Sequence, residues 1–253
     1  MSASSRTTRP RRALGWWAAL ASALLACLTL AACGASTAST SASTAQSADS
    51  AGAAGAHTLV VMGASDAYGI GTYDPDRDNW PTQLAAALPQ PTHLVNLGIP
   101  GATLAQAQQE ELPVAVAQHA RIVVLWLAVN DITDDVPLTT YIAQLHATLQ
   151  TLRRESPASH VFVGNVPDLT RLPFFDGRDP ASLRAQVDAW NAAIADTCAS
   201  EGATLADLAS AWGQFNEHPE YVSEDGLHPS VEGARALADF FDIVIRRTLR
   251  ING

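Results

Sequence analysis

Residues 122–129 read IVVLWLAV, eight apolar side chains in a row. A run of this length, rich in Val, Leu and Ile, is typical of a strand that is buried on both faces of a parallel sheet. Moving outward along the chain, four other short and mostly apolar runs occur, at residues 58–62, 92–97, 160–166 and 203–208. We therefore expect a sheet of five strands.

The segments between these runs have the spacing of amphipathic helices. They cover residues 80–88, 103–119, 138–154, 180–200 and 230–250. Strands that alternate with helices predict one α/β domain, a three-layer α/β/α sandwich around a five-stranded parallel sheet. Ligands of such sheets bind beyond the carboxyl ends of the strands, so the residues just after each strand are the first candidates for chemistry.

Composition excludes several classes of function. All 15 basic residues counted as Lys plus Arg are Arg, so the chain has no lysine for a phosphate-binding loop, a Schiff base or a pyridoxal phosphate cofactor. With 25 acidic residues and a net charge of −10, a nucleic-acid partner is not expected. The hydrophobic share of 47% is that of a chain with a substantial core.

The amino terminus has the features of an export signal. Four arginines between Arg6 and Arg12 precede an apolar stretch at residues 13–32. The stretch ends in Leu-Ala-Ala before Cys33, which resembles the lipobox of bacterial lipoproteins, where the cysteine is lipidated and becomes the mature terminus. An uncleaved anchor helix is the alternative. We expect residues 1–32 to be a signal peptide and the protein to be extracytoplasmic, lipid-anchored to the outer face of a bacterial membrane, or secreted.

The segment after the signal is a linker. Residues 33–57 contain the lipidated Cys33 and then almost only Ala, Ser, Thr and Gly, which cannot bury enough apolar surface to fold. We place the folded domain at residues 58–253. Since Cys27 leaves with the signal and Cys33 carries lipid, Cys198 has no disulfide partner and is expected to be a packed thiol.

A serine follows the first predicted strand. Ser65 stands between Ala64 and Asp66, and a serine at a tight strand-to-helix turn can present its hydroxyl beside backbone N–H groups. The other interpretation is a helix N-cap.

A carboxylate and an imidazole precede the last predicted helix. Asp225 and His228 are three residues apart across Gly226, so the carboxylate can accept the Nδ1 proton and leave Nε2 free as a base. Pro229 or Ser230 would then open the helix. The alternative is a turn followed by a helix cap.

Hydrogen-bond donors follow the second and third predicted strands. Gly101 has no side chain to keep a ligand from its N–H, and Asn130 is a poor choice for packing at the end of an apolar strand. Together such donors can stabilise an oxyanion. A loop glycine and a helix-capping asparagine are the alternatives.

In the order Ser, Gly, Asn and Asp-His, these residues resemble the SGNH hydrolases, the GDSL-like lipase and esterase superfamily, over roughly residues 58–250. The resemblance implies a flavodoxin-like fold with strand order 2-1-3-4-5. It implies Ser65 as nucleophile, His228 as general base and acid, and Asp225 as the residue that orients His228. The oxyanion hole would be formed by the N–H groups of Ser65 and Gly101 and the side chain of Asn130.

Two positions depart from the family pattern. Ala64 replaces the acid of Gly-Asp-Ser, and Ala128 replaces the glycine of Gly-x-Asn-Asp. We interpret them as the mark of a subgroup with a shifted pocket. The α/β-hydrolase elbow, Gly-x-Ser-x-Gly, is disfavoured because its last position is Ala67 here and because the acid lies so close to His228.

No cofactor or metal is expected. Asp74, Asp76 and Asp78 have the spacing of a calcium loop, but Asn79 and Ala85 replace its glycine and glutamate, so a solvated acidic loop is favoured, with Asp78 or Asn79 capping the next helix.

The expected function is a serine esterase that hydrolyses carboxylic esters through an acyl-enzyme at Ser65. The substrate would be a small-molecule or glycan ester, of the acyl lipid or O-acetylated glycan class, with Phe174 and Phe175 on one side of the site. Trp212, Phe215 and Tyr221 would form the opposite wall. A non-catalytic glycan- or lipid-binding lipoprotein and an O-acyl transferase are the alternatives, and the oligomeric state is left open.

Overall fold

The computed structural model describes residues 58–89, 91–215 and 217–251, and for residues 212–215 the backbone alone. The expected signal peptide, Cys33 and the linker lie outside the described residues, as do the side chains of Trp212 and Phe215. No helix in these ranges is both long and apolar enough to cross a membrane.

The strands form one parallel sheet with the order β2-β1-β3-β4-β5. This confirms the fold class and the strand order that the resemblance implies. The strands are β1 (Thr58–Gly63), β2 (His93–Asn96), β3 (Ile122–Trp126), β4 (His160–Gly164) and β5 (Thr204–Ala206). β3 is the central strand and β1 lies beside it, and every residue of these two strands is buried.

Helices connect the strands and cover both faces of the sheet. They are α1 (Ser65–Tyr68), α2 (Pro75–Asp78), α3 (Trp80–Ala87), α4 (Leu104–Glu110), α5 (Leu112–Ala117), α6 (Val129–Thr133), α7 (Leu138–Glu155), α8 (Pro180–Glu201), α9 (Leu208–Phe215) and α10 (Val231–Leu249). Short 3-10 turns occur at Leu169–Arg171, Pro173–Phe175 and Pro219–Tyr221.

Two hydrophobic cores lie on opposite faces of the sheet because successive side chains of a strand point to opposite sides. Val60 and Met62 of β1 pack into the core that α4, α5, α7 and α8 cover. Leu59 and Val61 pack into the other core, with α3 and α10. Cys198 is buried in the first core as a free thiol, as expected.

Three predicted elements are wrong in extent, and of these the strand expected over 203–208 covers only Thr204–Ala206. The strand expected over 122–129 ends at Trp126, and residues from Val129 onward form α6. The helix expected over 103–119 is two helices that meet at Glu111. Pro113 lies in the first turn of α5, where its missing N–H costs nothing, but within one continuous helix the same residue would remove a backbone hydrogen bond.

Side-chain caps fix the helices that frame the site. Asn79 Oδ1 accepts a hydrogen bond from Thr82 N at 2.7 Å and caps α3, one of the two caps that the sequence offers there. Ser230 Oγ accepts one from Gly233 N at 3.1 Å and caps α10, two residues after His228. Both caps satisfy N–H groups that would otherwise lack a partner at a helix start.

Candidate active site

Ser65, His228 and Asp225 meet at the carboxyl ends of the strands. His228 Nε2 lies 2.8 Å from Ser65 Oγ, although the two residues are 163 positions apart in the chain. His228 Nδ1 lies 2.7 Å from Asp225 Oδ2. Ser65 is the first residue of α1 and Ala64 occupies the cap position, so the serine is not the helix N-cap that its position also suggested.

The loop before α10 is built so that Asp225 and His228 face each other. Asp225 Oδ1 accepts hydrogen bonds from Leu227 N at 2.8 Å and from His228 N at 2.9 Å, while its other oxygen contacts the ring. Gly226 between them has φ of +74°, a conformation that favours glycine. The carboxylate thus holds the loop and the imidazole together.

The charge state of Asp225 determines the tautomer of His228. Burial alone would raise the pKa of Asp225, but hydrogen bonds from the backbone N–H groups of His228 and Leu227 outweigh it and hold the pKa well below its usual range. An ionised carboxylate only accepts hydrogen bonds, so Nδ1 carries the proton and Nε2 is left to accept the proton of Ser65. This arrangement can make the serine a nucleophile.

Two of the three predicted oxyanion donors, Asn130 and Gly101, differ in whether they line the cavity beside Ser65. Asn130 lies in α6 and lines the same cavity as Ser65, and its Nδ2 donates to Ala102 O at 2.9 Å, which leaves a second N–H on the amide. Gly101 does not line this cavity. It is a turn residue with φ of +80°, and a Cβ there would contact no other atom of the protein. Glycine is therefore favoured by the backbone conformation alone.

Ala128, the residue at the family glycine position, has φ of +111° and ψ of −33°. Residues with a Cβ rarely adopt this conformation, and holding one there costs on the order of 1–3 kcal/mol. The residue is fully buried and lies between the end of β3 at Trp126 and Asn130. The structure therefore explains the glycine of the family pattern by backbone geometry.

Replacing Ala128 with glycine should stabilise the protein. Relief of strain outweighs the greater flexibility of glycine in the unfolded chain and the lost methyl burial, so we expect about 1 kcal/mol of added stability in urea unfolding. The matched control is Ala107→Gly, at a fully buried alanine within α4, which should destabilise by about 1 kcal/mol. A loss of stability in both variants would contradict the strain at Ala128.

The cavity beside Ser65 and His228 is mostly apolar. Leucines at positions 127, 169, 172, 227 and 237 contribute to its wall, and Tyr221 lies there as expected. The expectation for Phe174 and Phe175 is wrong, because neither lines the cavity: Phe175 is buried, and Phe174 is half exposed and packs edge-on against it. Their own stretch supplies Leu169 and Leu172 instead.

Three carboxyl groups around the site were not predicted as site residues, of which two are buried and one, Asp66, is partly buried. Glu111 accepts a hydrogen bond from Gly63 N at 2.9 Å, and Asp131 accepts from Leu104 N at 3.1 Å, which ties α6 to the start of α4. Burial raises the pKa of Glu111 to about 8 and that of Asp131 to about 6, against these hydrogen bonds. The third is Asp66, next to Ser65, whose pKa burial also raises to about 6. Only the Asn-Asp pair at 130–131 gave a sequence signal.

Metal ligands are not gathered at this site. Within the described ranges no three His, Cys, Asp or Glu side chains come together as they would around a metal ion. Asp74 and Asp76 of the acidic loop are exposed to solvent.

A family model, the GDSL-like lipase/acylhydrolase family, matches residues 61–236. No curated protein matches the sequence. Among solved structures, the chain is similar to TesA, with 20% identity and a TM-score of 0.62 over 75% of this chain and 98% of that one.

Two further solved structures share the fold. The psychrotrophic esterase EstA from Pseudoalteromonas sp., inhibited by monoethylphosphonate, is 16% identical, with a TM-score of 0.61 over 77% of this chain and 100% of that one. A catalytic mutant of Axe2, an acetylxylan esterase from Geobacillus stearothermophilus, is 18% identical, with a TM-score of 0.60 over 75% of this chain and 94% of that one.

Proposed function

Because this chain belongs to the GDSL-like lipase/acylhydrolase family, and is therefore an ester hydrolase, we propose that it is an extracytoplasmic serine esterase that works through an acyl-enzyme at Ser65. The observation that carries this proposal is the hydrogen-bonded chain from Ser65 Oγ through the His228 ring to Asp225, at 2.8 and 2.7 Å. A hydroxyl, a base and an orienting carboxylate in this order are the parts that nucleophilic catalysis requires.

In the first half of the reaction, Ser65 Oγ attacks the ester carbonyl carbon while its proton passes to His228 Nε2. Asp225 stabilises the imidazolium that forms, because its carboxylate is negatively charged and accepts a hydrogen bond from the Nδ1–H group. The tetrahedral intermediate collapses when the C–O bond to the alcohol breaks and His228 returns the proton to the leaving oxygen. The acyl group is then bonded to Ser65 Oγ.

The second half uses the same groups with water. His228 Nε2 takes a proton from water, the resulting hydroxide attacks the acyl carbon, and the bond to Ser65 Oγ breaks as the serine regains its proton. In both halves a negative oxygen develops, and we assign its stabilisation to the second N–H of the Asn130 amide with the backbone N–H group of Ser65. Gly101, the third predicted donor, does not line the cavity and is assigned no part in it.

The cavity supports a substrate with an apolar acyl group. Leucine side chains at 169, 172 and 227 lie along the wall beside Ser65 and His228 and would remove acyl carbons from water. We propose carboxylic esters of the acyl lipid or O-acetylated glycan class. Axe2, an acetylxylan esterase, and EstA, an esterase, share this fold, and the substrate in the first name supports the O-acetylated glycan class.

The proposed location rests on the amino-terminal sequence. The basic and apolar signal at residues 1–32, followed by Cys33, would place the enzyme outside the cytoplasm with a lipid anchor. Mass spectrometry of the chain extracted from the membrane fraction tests it: the mature protein should begin at a lipid-modified Cys33 and lack residues 1–32. A membrane-bound chain that retains residues 1–32 would instead favour an uncleaved anchor helix.

The experiment that tests the proposed activity is a panel of p-nitrophenyl esters graded by acyl length, run beside acetylated xylan. Turnover of any ester, with covalent labelling by a fluorophosphonate, supports the esterase. Binding to a glycan or lipid without turnover of any ester would favour a binding lipoprotein. Acyl transfer to an added sugar, detected among the products, would make the enzyme a transferase.

A further inference from the structure

A partly buried carboxylate lies next to the proposed nucleophile. Asp66 follows Ser65 in the first turn of α1, and its Oδ2 accepts a hydrogen bond from Trp80 Nε1 at 3.0 Å. Trp80 is fully buried and is itself held by Phe241, stacked at 4.8 Å, and by Trp126, edge-on at 6.1 Å. The indole that fixes the carboxylate therefore has little freedom to move.

Asp66 shares its cavity with Ser65 and His228. The other lining side chains are mostly hydrocarbon, so water screens charges there less than at the surface and a charge acts strongly on its neighbours. A full negative charge in this place is unfavourable unless hydrogen-bond donors or a cation compensate it. Its one neutral side-chain donor, Trp80, is a weaker partner than a cation would be.

Two titratable groups face Asp66 from other elements. His228, in the loop before α10, favours the charged carboxylate. Glu111, between α4 and α5, has its own charge disfavoured by that of Asp66. Asp225 contacts the His228 ring at Nδ1, whereas Asp66 adjoins the residue whose hydroxyl contacts Nε2. Two carboxylates from separate segments of the chain, Asp225 and Asp66, are therefore near the His228 ring.

We propose that Asp66 is a positioning residue that acts through His228: its carboxylate, held by Trp80, stabilises the imidazolium that forms when His228 takes the proton of Ser65. The inference rests on the proposed esterase mechanism. In that mechanism, positive charge on the ring exists only between proton uptake and proton return, so a nearby negative charge lowers the barrier between them.

The effect should depend on pH. Burial raises the pKa of Asp66 to about 6, against the hydrogen bond from Trp80 and the attraction of His228, which favour the charged form. Asp66 is therefore charged at neutral pH and loses its charge as pH falls through about 6. Above about pH 6 the charged carboxylate favours the protonated His228 ring. The acidic limb of the kcat/KM profile therefore lies at higher pH than it would with an uncharged residue at position 66.

The test is Asp66→Asn. Asparagine keeps the shape of the side chain, and its amide oxygen can still accept from Trp80 Nε1, so the variant should fold. The acidic limb of kcat/KM should move to lower pH by about 0.5–1 unit, and kcat on the plateau should fall up to about tenfold. The matched control is Asp76→Asn, which removes one charge from an exposed position in α2 and should leave the limb in place.

A second readout does not need substrate. Proton NMR of the His228 ring, identified by comparison with His228→Gln, should show ring protonation at lower pH in Asp66→Asn than in the wild-type protein. If both the limb and the ring titration are unmoved, Asp66 only supports Trp80 and the inference is wrong. If the wild-type protein hydrolyses no ester, the proposed function fails, and the ring titration still decides whether Asp66 acts on His228.

Discussion

A Ser65→Ala variant should lose ester hydrolysis and fluorophosphonate labelling together. The substitution removes the only atom that forms the acyl bond, so whatever hydrolysis remains has to come from water in a site that still binds the ester and stabilises the oxyanion. We expect kcat to fall by at least about 10⁴-fold. The measurement is turnover of the best ester of the panel, with mass spectrometry of the labelled protein.

The matched control for Ser65 is Ser200→Ala. Ser200 lies in the last turn of α8, its hydroxyl donates to Thr197 O, and it has no role in the proposed reaction. Its removal should leave turnover and labelling at the wild-type level. Labelling that persists unchanged in Ser65→Ala would overturn the assignment of the nucleophile.

The second large effect is expected for Asp225→Asn. An amide in place of the carboxylate can donate to Nδ1, which puts the ring proton on Nε2 and leaves that nitrogen without a lone pair to accept the proton of Ser65. We expect kcat near neutral pH to fall about 10³- to 10⁴-fold with little change in KM. The fold should survive, because the amide oxygen can still accept from Leu227 N and His228 N.

Asp179→Asn is the control for this change. Asp179 caps α8 through Ser182 N at 2.7 Å, so its replacement alters one surface carboxylate in a similar backbone-capping role. A loss of less than tenfold in Asp225→Asn would mean that His228 keeps its orientation and tautomer without the carboxylate. The role assigned to Asp225 would then be wrong.

Asp225 and Asp66 differ in how pH should affect them. Three N–H groups hold the pKa of Asp225 well below its usual range, so it stays ionised through weakly acidic pH. Asp66 accepts one side-chain hydrogen bond, from Trp80, and burial raises its pKa to about 6 against this bond and those from backbone N–H groups. As pH falls, Asp66 is therefore expected to lose its charge while Asp225 is still ionised.

The sequence by itself determined the layered fold. A buried parallel strand has to be apolar over its whole length, and such a run at residues 122–129 can be recognised without any knowledge of its neighbours. Asp225 and His228 were also predictable as a pair, because three residues across a glycine turn bring them together whatever the rest of the chain does. Their contact is local, as is the cap that Ser230 provides for α10.

Only the tertiary structure brought Ser65 to His228, since that contact spans 163 positions and depends on the order of the strands in the sheet. The same holds for the burial of Glu111 and the partial burial of Asp66, because a single charged residue in a helical pattern is interpreted as exposed until the packing of other elements around it is known. The positive φ of Ala128 was also invisible in the sequence. Local preference opposes it, and packing at the end of β3 imposes it.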